Sequence, residues 1–526
     1  MMTKSMKYIA GCLLCCNMVA ALTSCNNYLE IYPENVEPTD KYWASKAEVE
    51  ATLIAGYYYL RESVESYLIP WGELRAGCVY NRRGSVLQQF QVKPETKTIV
   101  SWQQMYKIIG CANLVLANAE EARGNDATYT ENEMRSHFCE AYWLRALAYF
   151  YIVRNWRDAP LVTQPFETDA ISYNIGKSTS AELLAQIKQD LQTAIELDAA
   201  KESFNTTWET KGRATKWAIY ALMADVCLWT SDFDGAISHA NAILNSNSSA
   251  APRLMTTPTH NNWFSIFNPG NSNESIYEVQ WSHEKLNGTS YQTNNLFTLF
   301  DNTTDGTYVY SQDMVQNFTD DYRSITEQYG LVDPEVAVRT QYGGYVSDAT
   351  NTNGYCWKYI GSTTITDKRT QSFRDVNYII YRVADVVLMK AEALLMKSMG
   401  RSASEMQQCI DLVNQIRKRT NLPEVTISED TDFKTVLNAV LYERIMELAG
   451  EGKAWYDLLR MAQYKDPSGL VDFKKEFFID NVVKYNNQAN ETWIRAVLGD
   501  ENAWYLPVAE DEVKTNALIE QNPYYM

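Results

Sequence analysis

Histidine is scarce in this chain: His137, His239, His260 and His283 are the only four in 526 residues. No two of them stand one helical turn apart, the spacing by which helix-borne histidines grip zinc. No GxSxG elbow and no Walker-type glycine loop occurs, so the sequence lacks the marks of an α/β-hydrolase nucleophile or a nucleotide-phosphate cradle. Positive charge is also in deficit, with 47 Lys and Arg against 65 Asp and Glu and a formal net charge of −18. Such a surface disfavours nucleic acid and anionic lipid as partners. Beyond the first 24 residues no apolar run approaches the ~20 residues that a membrane-spanning helix needs. Cysteine spacing is wide, with no CxxC among Cys78, Cys111, Cys139, Cys227, Cys356 and Cys409. That pattern argues for buried free thiols, with at most one disulfide, over a zinc site or a disulfide framework.

The N-terminus is more distinctive. Lys4 and Lys7 precede a mostly apolar stretch from Tyr8 to Leu22, the pattern of a secretory leader. Leu22-Thr23-Ser24-Cys25 then resembles the lipobox of bacterial lipoproteins, which makes Cys25 the lipidated first residue of the mature chain. Cys12, Cys15 and Cys16 lie inside the apolar run and lack the leucine and small-residue pair at the right offsets. Residues 1–24 are thus expected to be a signal peptide and 25–38 a polar tether. Loss of the leader removes two lysines and no acid, so attachment to a membrane is expected through lipid.

Residues 39–249 read as helical. A helix over Glu48–Leu60, capped by Thr39 or Asp40, is followed by a loop with Trp71, Arg75, Tyr80, Arg82 and Arg83, then by helices over 102–119, 134–153, 181–197, 214–230 and 234–244. In the last two, Ala224, Ala236, Ala240 and Ile243 sit where small residues let paired helices approach closely, as in tetratricopeptide units. Similar pairs are expected at 383–396 with 405–417, and at 134–153 with 181–197. Between Ala250 and Arg374 helical periodicity fades and Gly, Asn, Thr, Ser and aromatics dominate, with a strand suggested at 275–281. The expected fold is mainly α: a tetratricopeptide-like paired-helix scaffold (39–249 and 377–526, packed as one body) carrying an irregular, ligand-binding insertion at 250–376.

Candidate chemistry is sparse. Glu443, Glu447 and Glu451 recur every four residues along one helical side, where Arg444, Lys453 and Arg460 are close enough in sequence to neutralise them; this favours ion pairing over metal binding or acid–base work. Asp301 and Asp305, in Asp301-Asn302-Thr303-Thr304-Asp305-Gly306, partly imitate a calcium loop, but Gln312 replaces the glutamate of its twelfth position. No metal or cofactor is otherwise expected. Binding is favoured instead by 35 Tyr and 14 Trp, whose flat apolar faces and polar edges suit sugars, peptides and protein surfaces alike. The candidates are Trp71 with Arg75, Trp263, Trp281, Tyr291 with Asn294, and Trp357; for any single one of them a place in the core or at an interface is the weightier reading.

The order of these features resembles the SusD/RagB family of nutrient-binding lipoproteins. It is carried by the lipobox, the paired helices, the long insertion, Tyr381-Arg382-Val383-Ala384-Asp385 with Lys390-Ala391-Glu392-Ala393, and Glu443-Arg444 with Glu447-Leu448, Glu451-Gly452, Asp457-Leu458 and Arg460. Leu506-Pro507-Val508 with Asn516, Leu518 and Gln521-Asn522-Pro523 resembles the family's C-terminal signature. Gly77 departs from it, standing where an acid often follows the Glu-Leu-Arg segment, and Lys453 stands where arginine is frequent. The resemblance implies a non-catalytic outer-membrane lipoprotein that captures oligosaccharides, or in some members oligopeptides, and hands them to a SusC-like TonB-dependent transporter. A surface glycoside hydrolase and a tetratricopeptide-type adaptor are the competing readings.

Overall fold

A computed structural model describes residues 42–526 apart from 167–173, 287–289, 293, 302–306, 331–335, 341–343, 348–353, 363 and 371–374. The leader, Cys25 and the tether lie outside the described residues, as do Thr39 and Asp40. The first helix, α1 (Lys46–Ser63), is capped by Ser45: its hydroxyl accepts from the first turn while Glu48 reaches back to the Ser45 N–H at 2.7 Å, a reciprocal pairing that satisfies two otherwise orphaned donors. The chain then continues through two wide π turns, Val64–Leu68 and Pro70–Leu74. Pro70 has no N–H to give an α-helical ladder, which accounts for the widening around it. The short strand β1 (Val79–Asn81) follows.

Helices α2 (Gln103–Asn125) and α3 (Glu131–Trp156) come next. Every residue of α3 from Trp143 to Trp156 is buried, so this helix is enclosed all round rather than on one stripe. The charges it takes inside are paired: Arg145 with Asp190 at 2.7 Å and Glu140 with Arg213 at 2.7 Å. Around it run α4 (Ser180–Glu196), the short α5 (Thr207–Gly212), α6 (Lys216–Trp229) and α7 (Phe233–Leu244). The expected pairing of α6 with α7 is present, with Ala224, Ala236, Ala240 and Ile243 all buried.

The stretch from 250 onward is more regular than its composition suggests. Strand β2 (Ser275–Val279) forms where alternation marked it. Strand β3 (Tyr308–Tyr310) leads into α8 (Gln312–Tyr329), an 18-residue helix in a region expected to be irregular. Met314, Asn317, Phe318, Asp321 and Ile325 make its buried stripe; two of the five are polar, which hid the 3.6-residue period from a hydrophobicity reading. Strands β4 (Tyr345–Ser347) and β5 (Gly354–Cys356) complete a small antiparallel sheet in the order β1-β3-β5-β4. Strand β6 (Tyr378–Arg382) returns to pair with β2 and opens directly into α9 (Val383–Ser398). Helices α10 (Ala403–Arg419), α11 (Phe433–Glu447) and α12 (Ala454–Gln463) follow, and shorter helical segments at Phe473–Ile479, Asp480–Tyr485, Glu491–Gly499 and Glu510–Thr515 close the chain. One hydrophobic cluster extends from Trp43 to Ile519.

The glutamate row is ion-paired, but by partners other than those its sequence neighbours suggested. Glu443 meets Arg339 and Arg417, Glu447 meets Arg382, Arg419 and Arg339, and Glu451 meets Arg382 and Lys358. With Glu274 on Arg382 and Arg419, and Asp321 on Arg339, five carboxylates face five cations. Arg444, Lys453 and Arg460 turn the other way and pair with Asp385, Glu392 and Asp457, three against three. Charges this deep are costly to bury, and here opposite charges offset that cost. All six cysteines among the described residues are free thiols, five of them buried.

Candidate functional site

Six of the seven side chains picked from sequence as ligand contacts are in the core. Trp71 is fully buried, donates its indole N–H to the Ile99 carbonyl at 2.8 Å and packs edge-on against Trp156. Arg75 lies beneath it, donating to the Trp504 carbonyl at 2.9 Å and to Asn155 Oδ1 at 2.7 Å, with its guanidinium 4.3 Å from the Trp455 ring centre. Burial without a facing carboxylate lowers its pKa to about 10. Trp263 packs on Phe267, Trp281 and Trp357 are buried, and Asn294 is buried with its amide donating to the Val376 carbonyl at 2.7 Å. These rings are spent on packing, where a large aromatic contributes most. Tyr291 belongs to a strand, Ser290–Gln292, but its side chain lies outside the described residues. Asp301 accepts from Lys368 Nζ at 2.6 Å, and Asp305 lies outside the described residues. Among the described residues no cluster of three His, Cys, Asp or Glu could hold a metal.

The same loop does present a site, one turn further on. Gly84 N–H bonds to the Asn81 carbonyl at 2.9 Å and the Asn81 side chain accepts the Arg83 N–H at 2.9 Å, a tight turn closed by an Asx bond with a left-handed glycine at its end, Gly84 φ +87°. The turn pushes Arg82 and Arg83 into solvent. It is fixed to the insertion, because the Arg82 N–H bonds to the Thr307 carbonyl at 2.9 Å and its guanidinium to the Tyr355 hydroxyl at 3.2 Å. Beside it lies a pocket of about 250 Å³ whose polar lining comes from Glu65, Ser66, Asn81, Ser85 and Thr98, with Tyr308 from β3. Glu65 is oriented by Asn295, which donates to it from backbone and side chain at 2.6 and 3.2 Å. Two exposed arginines on the turn, with hydroxyl, amide and carboxylate groups lining the pocket beside it, are groups that can hold a polar ligand by directed hydrogen bonds. Adjacent arginines at the end of a strand, ahead of a glycine, were the signal in the sequence.

Gly77 explains itself here. Its φ is +83° and a Cβ at this position would overlap the Asn486 backbone, so neither an acid nor any other side chain fits. Lys453 does the work of an arginine, lying 2.9 Å from Asp385 and over the Tyr381 ring.

Comparison with known proteins places this architecture. Residues 335–525 match the SusD family model, and residues 77–228 match a second SusD-like model described as starch-binding associating with outer membrane. A SusD-like protein of Formosa agariphila is 25% identical over 511 residues, covering 89% of this chain and 94% of its own length. A SusD-like protein of Bacteroides ovatus is 24% identical over 520 residues, covering 91% and 84% respectively. Among solved structures, a SusD superfamily protein from Bacteroides thetaiotaomicron superposes with a TM-score of 0.71 at 22% identity, over 92% of this chain and 99% of that one. A laminarin-binding SusD-like protein superposes with a TM-score of 0.65 at 21% identity, over 91% of this chain and all of the other. The fold is therefore that of the SusD superfamily. Two segments of the chain thus match SusD-type family models, and the chain is similar along most of its length to SusD-like proteins.

Proposed function

We propose that this protein is a non-catalytic, lipid-anchored receptor at the outer membrane that captures oligosaccharides on the Arg82–Arg83 face and passes them to a SusC-like TonB-dependent transporter. The observation that carries the reading is the arginine-bearing turn locked against Tyr355 beside a polar pocket, in a chain similar to SusD-like proteins. A relative of the same fold described as laminarin-binding favours a glycan. Lipid on Cys25 follows from Leu22-Thr23-Ser24-Cys25. Oligopeptide capture is the second reading, favoured by the exposure of both arginines, which suit a peptide carboxylate equally well.

Calorimetric titration of the mature chain with a panel of soluble oligosaccharides and a tryptic peptide pool, followed by product analysis, separates the readings. Capture of glycans predicts binding of at least one saccharide, recovered intact, with affinity roughly tenfold weaker in Arg82→Ala and melting unchanged. Cleaved products would point to a hydrolase. Affinity for the transporter alone, with none for saccharide or peptide, would point to an adaptor.

A further inference from the structure

A second cavity, of about 340 Å³, lies between α1, α5 and β2 and shares no lining residue with the pocket beside the arginine turn. Its floor is the ring of Tyr57, whose hydroxyl donates to Glu140 at 2.8 Å and accepts the Ala214 N–H at 2.9 Å. Arg213 locks Glu140 in turn, at 2.7 Å. Behind Tyr57 stands Tyr277, its ring centre 6.3 Å away and nearly parallel, and behind Tyr277 is Trp143 at 4.6 Å. The floor is thus the outer face of a rigid aromatic stack rooted in the core.

The walls are different in kind. Ile54 is 60% exposed, Tyr58 46% and Trp208 42%. These are three of the eleven exposed large apolar side chains among the described residues, gathered at one opening instead of scattered, and a gathering of that sort marks a binding surface. Planar polar groups edge the opening: the guanidinium of Arg61, the carboxylate of Glu209 and the amide of Gln280. Glu209 is oriented by the cap it forms with Thr206. The two arginines and two glutamates of the lining balance, so the site favours no ionic ligand. Flat apolar rings with neutral-sum, planar hydrogen-bonding groups at the edge match a pyranose, which has an apolar C–H face and a rim of hydroxyls.

We propose that this cavity is a second saccharide site, binding a neutral sugar by stacking on Trp208 and Tyr58 over the Tyr57 floor. The proposal rests on the reading of the protein as a glycan receptor, and adds a contact separate from the arginine face. Affinity electrophoresis of the full mature chain in gels containing laminarin, starch, xylan or galactomannan tests it, comparing wild type with Trp208→Ala, Tyr58→Ala, Arg82→Ala and the Trp208→Ala/Arg82→Ala double variant. Trp208 and Tyr58 are exposed, so thermal melting should not change. The expected result is a polysaccharide that retards the wild type, with apparent affinity roughly tenfold weaker in Trp208→Ala and a further loss in the double variant. If a polysaccharide binds and Arg82→Ala abolishes retardation while Trp208→Ala and Tyr58→Ala leave it unchanged, the second site is refuted and the receptor reading stands. If Trp208→Ala loses only transporter or peptide binding, the cavity is not a sugar site. If no polysaccharide retards the wild type, both readings fall.

Discussion

Glu73 and Glu447 are both sealed from water, yet their carboxyls are driven in opposite directions. Glu73 accepts the Gly452 N–H at 2.6 Å and the Lys453 N–H at 3.3 Å with one oxygen, while burial raises its pKa to about 8. Glu447 is also buried, but Arg419, Arg382 and Arg339 hold it well below the ordinary carboxylate value of 4.5. The signs in stability follow by linkage. A raised acid favours the folded state fully below about pH 4.5 and loses that contribution as pH rises through the window up to about 8. A depressed acid contributes above about pH 4.5 and loses it as the solution is made more acidic. Glu73→Gln should therefore gain on the wild type by a few kcal/mol between about pH 5 and 8, read as a widening difference in Tm across that range. A difference in Tm that does not change with pH would show that Glu73 is ionised in the fold. At this scale the sequence was least legible: Trp71, Trp263 and Trp357 stand in stretches with loop-like composition, and nothing local told that the chain folds over them.

Helices and turns are where pattern reading succeeded or failed for identifiable reasons. The α6–α7 pair was visible because Ala224, Ala236 and Ala240 keep a small-residue face, a degenerate signal that gained weight from the similar pairs elsewhere in the chain. Helix α8 was missed because Asn317 and Asp321 occupy its buried stripe, where they are held by Tyr485 and Arg339 from distant parts of the chain. The glutamate row was recognised as ion-paired, but only Glu443 and Glu447 lie on α11, Glu451 following its end, and the partners Arg339, Arg382 and Arg419 come from other elements, a long-range fact no local spacing contains. Glu447→Gln should leave these arginines under-neutralised and cost about 3–5 kcal/mol, measured by urea unfolding. A loss below about 1 kcal/mol would mean that the remaining acids suffice. The arginine turn itself was open to view, since Asn81-Arg82-Arg83-Gly84 reads as a turn by residue type alone; its attachment to Tyr355 was not.

For the whole molecule, the resemblance to SusD-like proteins and the mainly helical architecture were legible from the order of segments, and the placement of the candidate site was not. The N-terminal half, through Arg75 and the Gly452-bonded Glu73, is bound to the C-terminal half at Trp504, Gly452 and Lys453. The two halves are thus joined in one body, which the proposed lipid on Cys25 would carry as a unit. Cys25→Ala should consequently free the protein from membranes with ligand affinity intact, assayed by fractionation and by titration of the released chain; membrane retention without the transporter would contradict the lipid anchor.

The five-against-five charge cluster has a consequence for the order in which the chain is made. Up to residue 442 the polypeptide carries Glu274 and Asp321 together with Arg339, Lys358, Arg382, Arg417 and Arg419, two acids for five cations. The missing three arrive only with Glu443, Glu447 and Glu451. Until then the cations of the cluster outnumber its acids by three, and burying them would leave unpaired charge in the core. The last sixth of the sequence is thus required before this part of the core can close with its charges matched.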